Sequence, residues 1–285
     1  MNQRAVLAVA LLLALVSSLP AAELSLPGRP EAAPTGSEFL KRCQGLEGIP
    51  REQLVLTELL DGNLPRFLGR LQPVELSADG VHVTVFVTPD YLAIGSDRDF
   101  VYAPLDYDTA TAVADRLGCV LPTPRIVDAI YAQAAHHLDP RPLPASPQMR
   151  STAYLARHQG LLDAQRAGMA EGELIAGHKK DVVLSNRLHV MPGRIAIYGW
   201  HRAPAAPIQP LSLVHGVHYV DYSHGVRLVS DTVLVDGAPR SIYEALQDPR
   251  VAPALSDEGV TRDPWKLMHP RTLLASGAGR ALATP

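Results

Sequence analysis

Residues 212–228 read SLVHGVHYVDYSHGVRL and gather His215, His218, His224, Asp221, Ser223 and Arg227 among β-forming residues. Imidazoles ionise near neutral pH, so they act as general acids, general bases or metal ligands, and a neighbouring carboxylate orients them. Six of the eleven histidines, His178, His189, His201, His215, His218 and His224, lie between residues 178 and 224. Two further polar clusters occur in that span, Gly177-His178-Lys179-Lys180-Asp181 and Tyr198-Gly199-Trp200-His201. His215, Asp221 and His224 are therefore the candidate acid–base or ligand core. His178, Lys180, Asp181, Trp200, His201, Gln209, Ser223 and Arg227 are the candidate substrate-binding residues, with Lys180 and Arg227 suited to an anionic group.

Period-two alternation in a strand over 213–221 puts His215, Tyr219 and Asp221 on one face and His218 on the other. His215 and Asp221 are then roughly 20 Å apart at full extension, too far to act together. A bulge at Gly216 and a turn over 221–225 are needed to bring His224 beside Asp221. The opening stretch is thus expected to form one wall of a site completed by His178, Asp181 and His201. A serine nucleophile, Ser223 or Ser212, needs a base in reach, and no G-x-S-x-G elbow is present. Histidine and carboxylate also suit zinc, which stands as a possible cofactor, although no H-E-x-x-H spacing occurs.

Ser223-His224-Gly225-Val226-Arg227 resembles the Ser-His-Gly-Cys-x-Arg signature of the L,D-transpeptidases, and His215-Gly216 is similar to their upstream His-Gly. The family implies a cysteine nucleophile. No cysteine stands between Gly225 and Arg227, so that activity does not carry over. Residues 112–123 resemble a Leu-Gly-x-x-Leu-Pro-Thr turn of formylglycine-generating-enzyme domains. Ile126-Val127-Asp128 replaces the acidic-Trp-acidic continuation, and no function is implied.

The ends of the chain set the compartment. One basic residue, an apolar run over 5–16 and a small-residue exit at Ala21-Ala22 form the three parts of a secretory leader over 1–22. The Pro/Ala/Gly-rich stretch 23–37 reads as a flexible tether, and 38–285 as one domain with a subdivision near the proline-rich 139–147. The net charge of −3 with no basic run argues against nucleic acid. After leader removal no segment is apolar enough for a stable membrane span. In an oxidising compartment Cys43 and Cys119 are expected to pair as a disulfide.

Helical periodicity over 50–60, 108–117, 124–134 and 151–167, followed by β-rich runs from 173 onward, predicts an α+β fold. Its expected form is a helical N-terminal half packed on a mainly antiparallel C-terminal sheet. Polar positions of the 151–167 helix, His158, Gln159, Gln165 and Arg166 among them, read as solvated or interface groups rather than ligands. The expected function is a secreted or periplasmic enzyme, a hydrolase or transferase, acting on a cell-envelope or extracellular polymer and most readily at an amide bond. A non-catalytic envelope- or saccharide-binding module is the alternative.

Overall fold

The computed structural model describes residues 22–270. The leader expected over 1–22 lies, but for its last residue, outside the described residues.

Residues 81–87, Val-His-Val-Thr-Val-Phe-Val, form a strand because β-branched side chains fit a pleated surface. Val83, Val85 and Val87 are fully buried, each contributing about 1.5–3 kcal/mol of burial free energy. This strand is paired with Gln72–Ala78 through a two-residue turn at Asp79-Gly80, where both residues have positive φ (49° and 79°). Asp236-Gly237 repeats the device (49° and 82°) between Thr232–Val235 and Ala238–Ser241. The resulting six-stranded sheet also takes in Val229–Ser230 and Cys119–Val120.

A second, four-stranded sheet runs in the order Pro207–Ser212, Ile197–His201, Lys180–Val182, His224–Gly225. Pro207 and Pro210 sit on its edge strand, where a missing N–H is tolerated. The last strand pairs in parallel, with His224 opposite Lys180 and Gly225 opposite Asp181. Four residues later the same chain joins the large sheet, with Val229 opposite Val87 and Val120. Segment 224–230 therefore ties the two sheets together and fixes His224 against both.

The expected division into a helical half and a sheet half is overturned. The fold is mixed α/β, with several antiparallel sheets and helices spread along the chain: Ile49–Leu60, Tyr107–Arg116, Pro124–Gln133 and Thr152–Arg166, then Ile242–Gln247, Ala252–Leu255 and Pro264–Met268. The reason is non-local pairing. The strand Val81–Val87 lies at the centre of a sheet whose other strands include Cys119–Val120 and three from beyond residue 228.

Three local expectations also change. The helix expected to start at Asp108 starts at Tyr107, and Asp106 is its cap, accepting from Thr109 N–H. Residues 213–220 are not a strand: an isolated bridge joins Gly216 to Arg194, and a turn closes from Tyr219 N–H to the Gly216 carbonyl (2.9 Å). Cys43 and Cys119 are not bonded to each other but are free, buried thiols, because Cys43 ends the first helix while Cys119 sits in the large sheet. Burial pushes their pKa values up to about 11 and about 12. In the stretch read as a tether, Leu24 N–H donates to the Gly69 carbonyl (2.8 Å) and Arg29 to Asn63 Oδ1 (2.9 Å), so it lies against the domain. The proline-rich 139–147 is likewise held down, Leu143 N–H donating to Tyr222 Oη (2.7 Å).

Glycine is required at one position of the parallel pair. A Cβ on Gly225 would stand 2.7 Å from both Lys179 Cβ and Tyr91 Cδ1. Gly225→Ala is expected to cost about 2–3 kcal/mol of stability in urea denaturation through overpacking. Gly160→Ala, on an open face of the Thr152–Arg166 helix with nothing within 4 Å, is expected to stabilise by about 0.5–1 kcal/mol.

Candidate active site

Register places His224 and Lys180 side by side, and the Lys180 N–H donates to the Ser223 carbonyl (2.8 Å). Gly199, opposite Lys180, and the next residue, Trp200, both have positive φ (107° and 59°). That conformation is unusual for a tryptophan and marks a position where the surroundings over-determine the backbone. It lets Trp200 Nε1 donate to the His178 carbonyl (3.0 Å) while the Lys180 ammonium stands 4.8 Å from the indole centroid.

Asp221 closes the third side. Its Oδ1 accepts from Ser223 N–H (2.8 Å) and Oγ–H (2.5 Å), and its Oδ2 from the Tyr219 hydroxyl (3.1 Å). Burial raises the cost of its charge, but His224, the Ser223 hydrogen bonds and Lys180 outweigh that and hold the carboxyl below its usual range. Above it, His215 stacks on Tyr219 with centroids 3.8 Å apart and planes at 8°. Tyr219 in turn lies 5.8 Å from the His224 ring, and the Arg150 guanidinium is 5.9 Å from the Tyr219 centroid.

The turn at 216–219 thus does what a straight strand forbids, gathering His215, Asp221 and His224 with Lys180, Tyr219 and Trp200. His224 is fully buried, and neither ring nitrogen has a hydrogen-bond partner in the protein. Burial lowers its pKa to about 4, with Lys180 and His215 adding to the effect and Asp221 opposing it. Burial also lowers His215. Both imidazoles are then neutral bases at pH 7.

A second polar network adjoins this largely buried cluster. Asp90 accepts from Tyr102 Oη–H (2.8 Å), from Arg166 and from the Tyr91 N–H, and His178 Nε2 stands 3.4 Å away. Arg227 donates to the carbonyls of Thr88 (2.9 Å) and Ile175 (2.5 Å) and stacks 4.3 Å over Tyr91, whose hydroxyl donates to Asp181 (2.9 Å). Lys179 donates to the Tyr222 carbonyl (2.7 Å) and lies 3.3 Å from His158 Nδ1. Burial lowers the Lys179 pKa to about 7 and raises Asp181 to about 6.

Of the residues expected to bind substrate, Lys180, Trp200 and Ser223 lie at the cleft, whereas His178, Asp181 and Arg227 belong to the buried network. His201 is elsewhere: it meets Asp128 (2.8 Å), which also accepts from Tyr198, and stacks on Tyr131. Gln209 bonds its own neighbour Pro210 on the edge strand. Among the described residues, no three His, Cys, Asp or Glu side chains converge to hold a metal ion.

Sequence reasoning missed Tyr219, Arg150, Asp90 and the inward face of the Thr152–Arg166 helix. The signal for that face was present: His158 and Gln159 share the three-to-four-residue spacing of Leu155 and Leu162, and all four are buried. No family model, curated protein or solved structure matches this chain. The site is read from its own geometry.

His178, like His224, is lowered to about 4, chiefly by burial. An unfolded histidine takes up its proton near pH 6.5. Between about pH 6.5 and 4 the unfolded state therefore binds more protons than the native state, so stability falls as pH falls through that window. Urea midpoints measured from pH 7 to 4 are expected to drop steeply, and His178→Gln is expected to flatten the slope by about one proton.

Proposed function

We propose that this protein is a hydrolase or transferase working outside the cytoplasm on a cell-envelope or extracellular polymer, with an amide as the bond cleaved. The observation that carries this reading is His224: a buried, neutral imidazole with both nitrogens unpaired, beside the anionic Asp221 and the cationic Lys180. A buried polar group without a partner is costly and is retained where function uses it.

His224, with His215 as its neighbour, takes a proton from attacking water or a hydroxyl. Asp221 steadies the imidazolium that forms. Lys180 faces the oxyanion that develops on the carbonyl, the charge a preorganised cation stabilises best. The proton then passes to the departing amine. Ser223 is not the nucleophile in this scheme, because it is fully buried and its hydroxyl is committed to Asp221. His224 is fully buried, so this scheme requires the stacked His215–Tyr219 pair to move outward before substrate reaches it. Glycosidic cleavage fits less well, since it calls for two facing carboxyls and Asp221 is already held by three hydrogen bonds. The leader over 1–22 supports export, and no helix among the described residues is long and apolar enough to cross a membrane.

The test is turnover of purified wall polymer and wall-derived peptides. His224→Gln is expected to lower kcat at least about 100-fold and Lys180→Met about 10- to 100-fold, whereas Ser223→Ala loses less than about tenfold. Abolition by Ser223→Ala would replace this scheme with a serine nucleophile. Binding of wall polymer without turnover in the unsubstituted protein would make the cleft that of a binding module.

A further inference from the structure

On the opposite side of the 218–221 segment a cavity of about 240 Å³ opens, lined by Ile49, Arg51, Glu52, Asp106, Arg150 and His218, with Val220 at its wall. Tyr219 and Asp221 face His224, while His218 and Val220 line this cavity.

Its charges are unevenly matched. Both oxygens of Asp106 are engaged, Oδ1 by Thr109 N–H (2.8 Å) and Oδ2 by His218 Nδ1 (2.9 Å). One oxygen of Glu52 accepts from Asp106 N–H (2.8 Å). Burial, reinforced by the nearby Asp106, pushes the Glu52 carboxyl up to about 8, so at neutral pH it is a proton donor rather than a counter-charge. Arg51 is only 4% exposed, and its guanidinium donates to the Arg150 carbonyl (2.5 Å). Among the described residues neither Arg51 nor Arg150 has a carboxylate within salt-bridge distance. Burial lowers the Arg51 pKa, Glu52, Cys43 and Glu47 oppose that, and Arg150 adds to it as a like charge. Two guanidinium groups thus line one cavity, the buried one with no carboxylate in salt-bridge distance, and an anion placed between them would offset their charge.

We propose that this cavity binds a carboxylate carried on a short apolar group, such as the free carboxyl end of a peptide with a small final side chain. Arg51 and Arg150 hold the charge, the Glu52 acid donates a hydrogen bond to it, and Ile49 and Val220 pack against the apolar part. A singly charged carboxylate suits the site better than phosphate, because the Asp106 carboxylate lines the same wall and repels a second negative charge. The inference stands on the cavity alone and does not require the reaction assigned to the neighbouring cleft. If both hold, the substrate of that cleft carries a free carboxyl group.

The test is a binding titration of the full-length protein with N-acetyl-L-alanine and with N-acetyl-L-alaninamide, which differ at the carboxylate. Binding is followed through the methyl resonances of Ile49 and Val220, so the readout is independent of turnover. The acid is expected to bind with Kd of about millimolar and the amide at least about tenfold more weakly. Arg150 is exposed, so Arg150→Met is expected to keep the melting temperature and lose about tenfold in affinity for the acid; Glu52→Gln, still a donor, is expected to keep most of it. Equal binding of acid and amide, no methyl shift up to about 50 mM acid, or unchanged affinity in Arg150→Met would overturn the proposal. Tighter binding of inorganic phosphate would overturn the carboxylate assignment.

Discussion

The two-residue parallel pairing of His224-Gly225 with Lys180-Asp181 is the constraint on which the site rests. It brings a strand of the small sheet so close to the Lys179 and Tyr91 side chains that only a glycine fits at 225. The same chain continues into the large sheet at Val229, and the two anchorages leave residues 224–228 no freedom to retreat from the interior. His224 and Arg227 are consequently buried although neither is a residue that favours burial.

Burial of this kind requires compensation, and the structure supplies it unevenly. Asp90 is satisfied by Arg166, Tyr102 and the Tyr91 N–H, and Arg227 by two carbonyls and a tyrosine face. These contacts replace the hydration that the charges lose, and removal of one partner strands the other. His224 receives no such partner. His178 in the Asp90 network is likewise without a hydrogen-bond partner on either ring nitrogen, and what sets His224 apart is its place beside Asp221 and Lys180.

Much of the local structure was legible. The β-branched run 81–87, the Thr123-Pro124 helix start and the Asp236-Gly237 turn follow from propensity and turn chemistry, which act within a few residues. Asp79-Gly80 carried the same turn signal, yet its upstream strand is obscured in the sequence because Pro73, Glu75 and Ala78 are poor β-formers, although Val74 and Leu76 alternate. The 213–220 segment reads as a strand by composition but is a loop, since its backbone is claimed by Arg194 and by its own turn rather than by a ladder. His158 and Arg166 looked solvated because charge and polarity suggest water, whereas their helix faces a polar interior.

The amino-acid sequence by itself determined which chemistry is on offer: neutral-pH bases in 178–224, the aspartate beside them, and no cysteine in the Ser-His-Gly-x-Arg position. It also determined the hairpin turns and helix caps, because those depend on neighbours only a few residues away. The tertiary structure alone decided which of those histidines meet, that the cysteines stay apart, and that Arg51 and Arg150 share a cavity with Glu52. Such meetings depend on pairings between segments distant in sequence, His224 with Lys180 and Arg51 with Arg150 among them, where packing and loop closure, not local pattern, set the outcome.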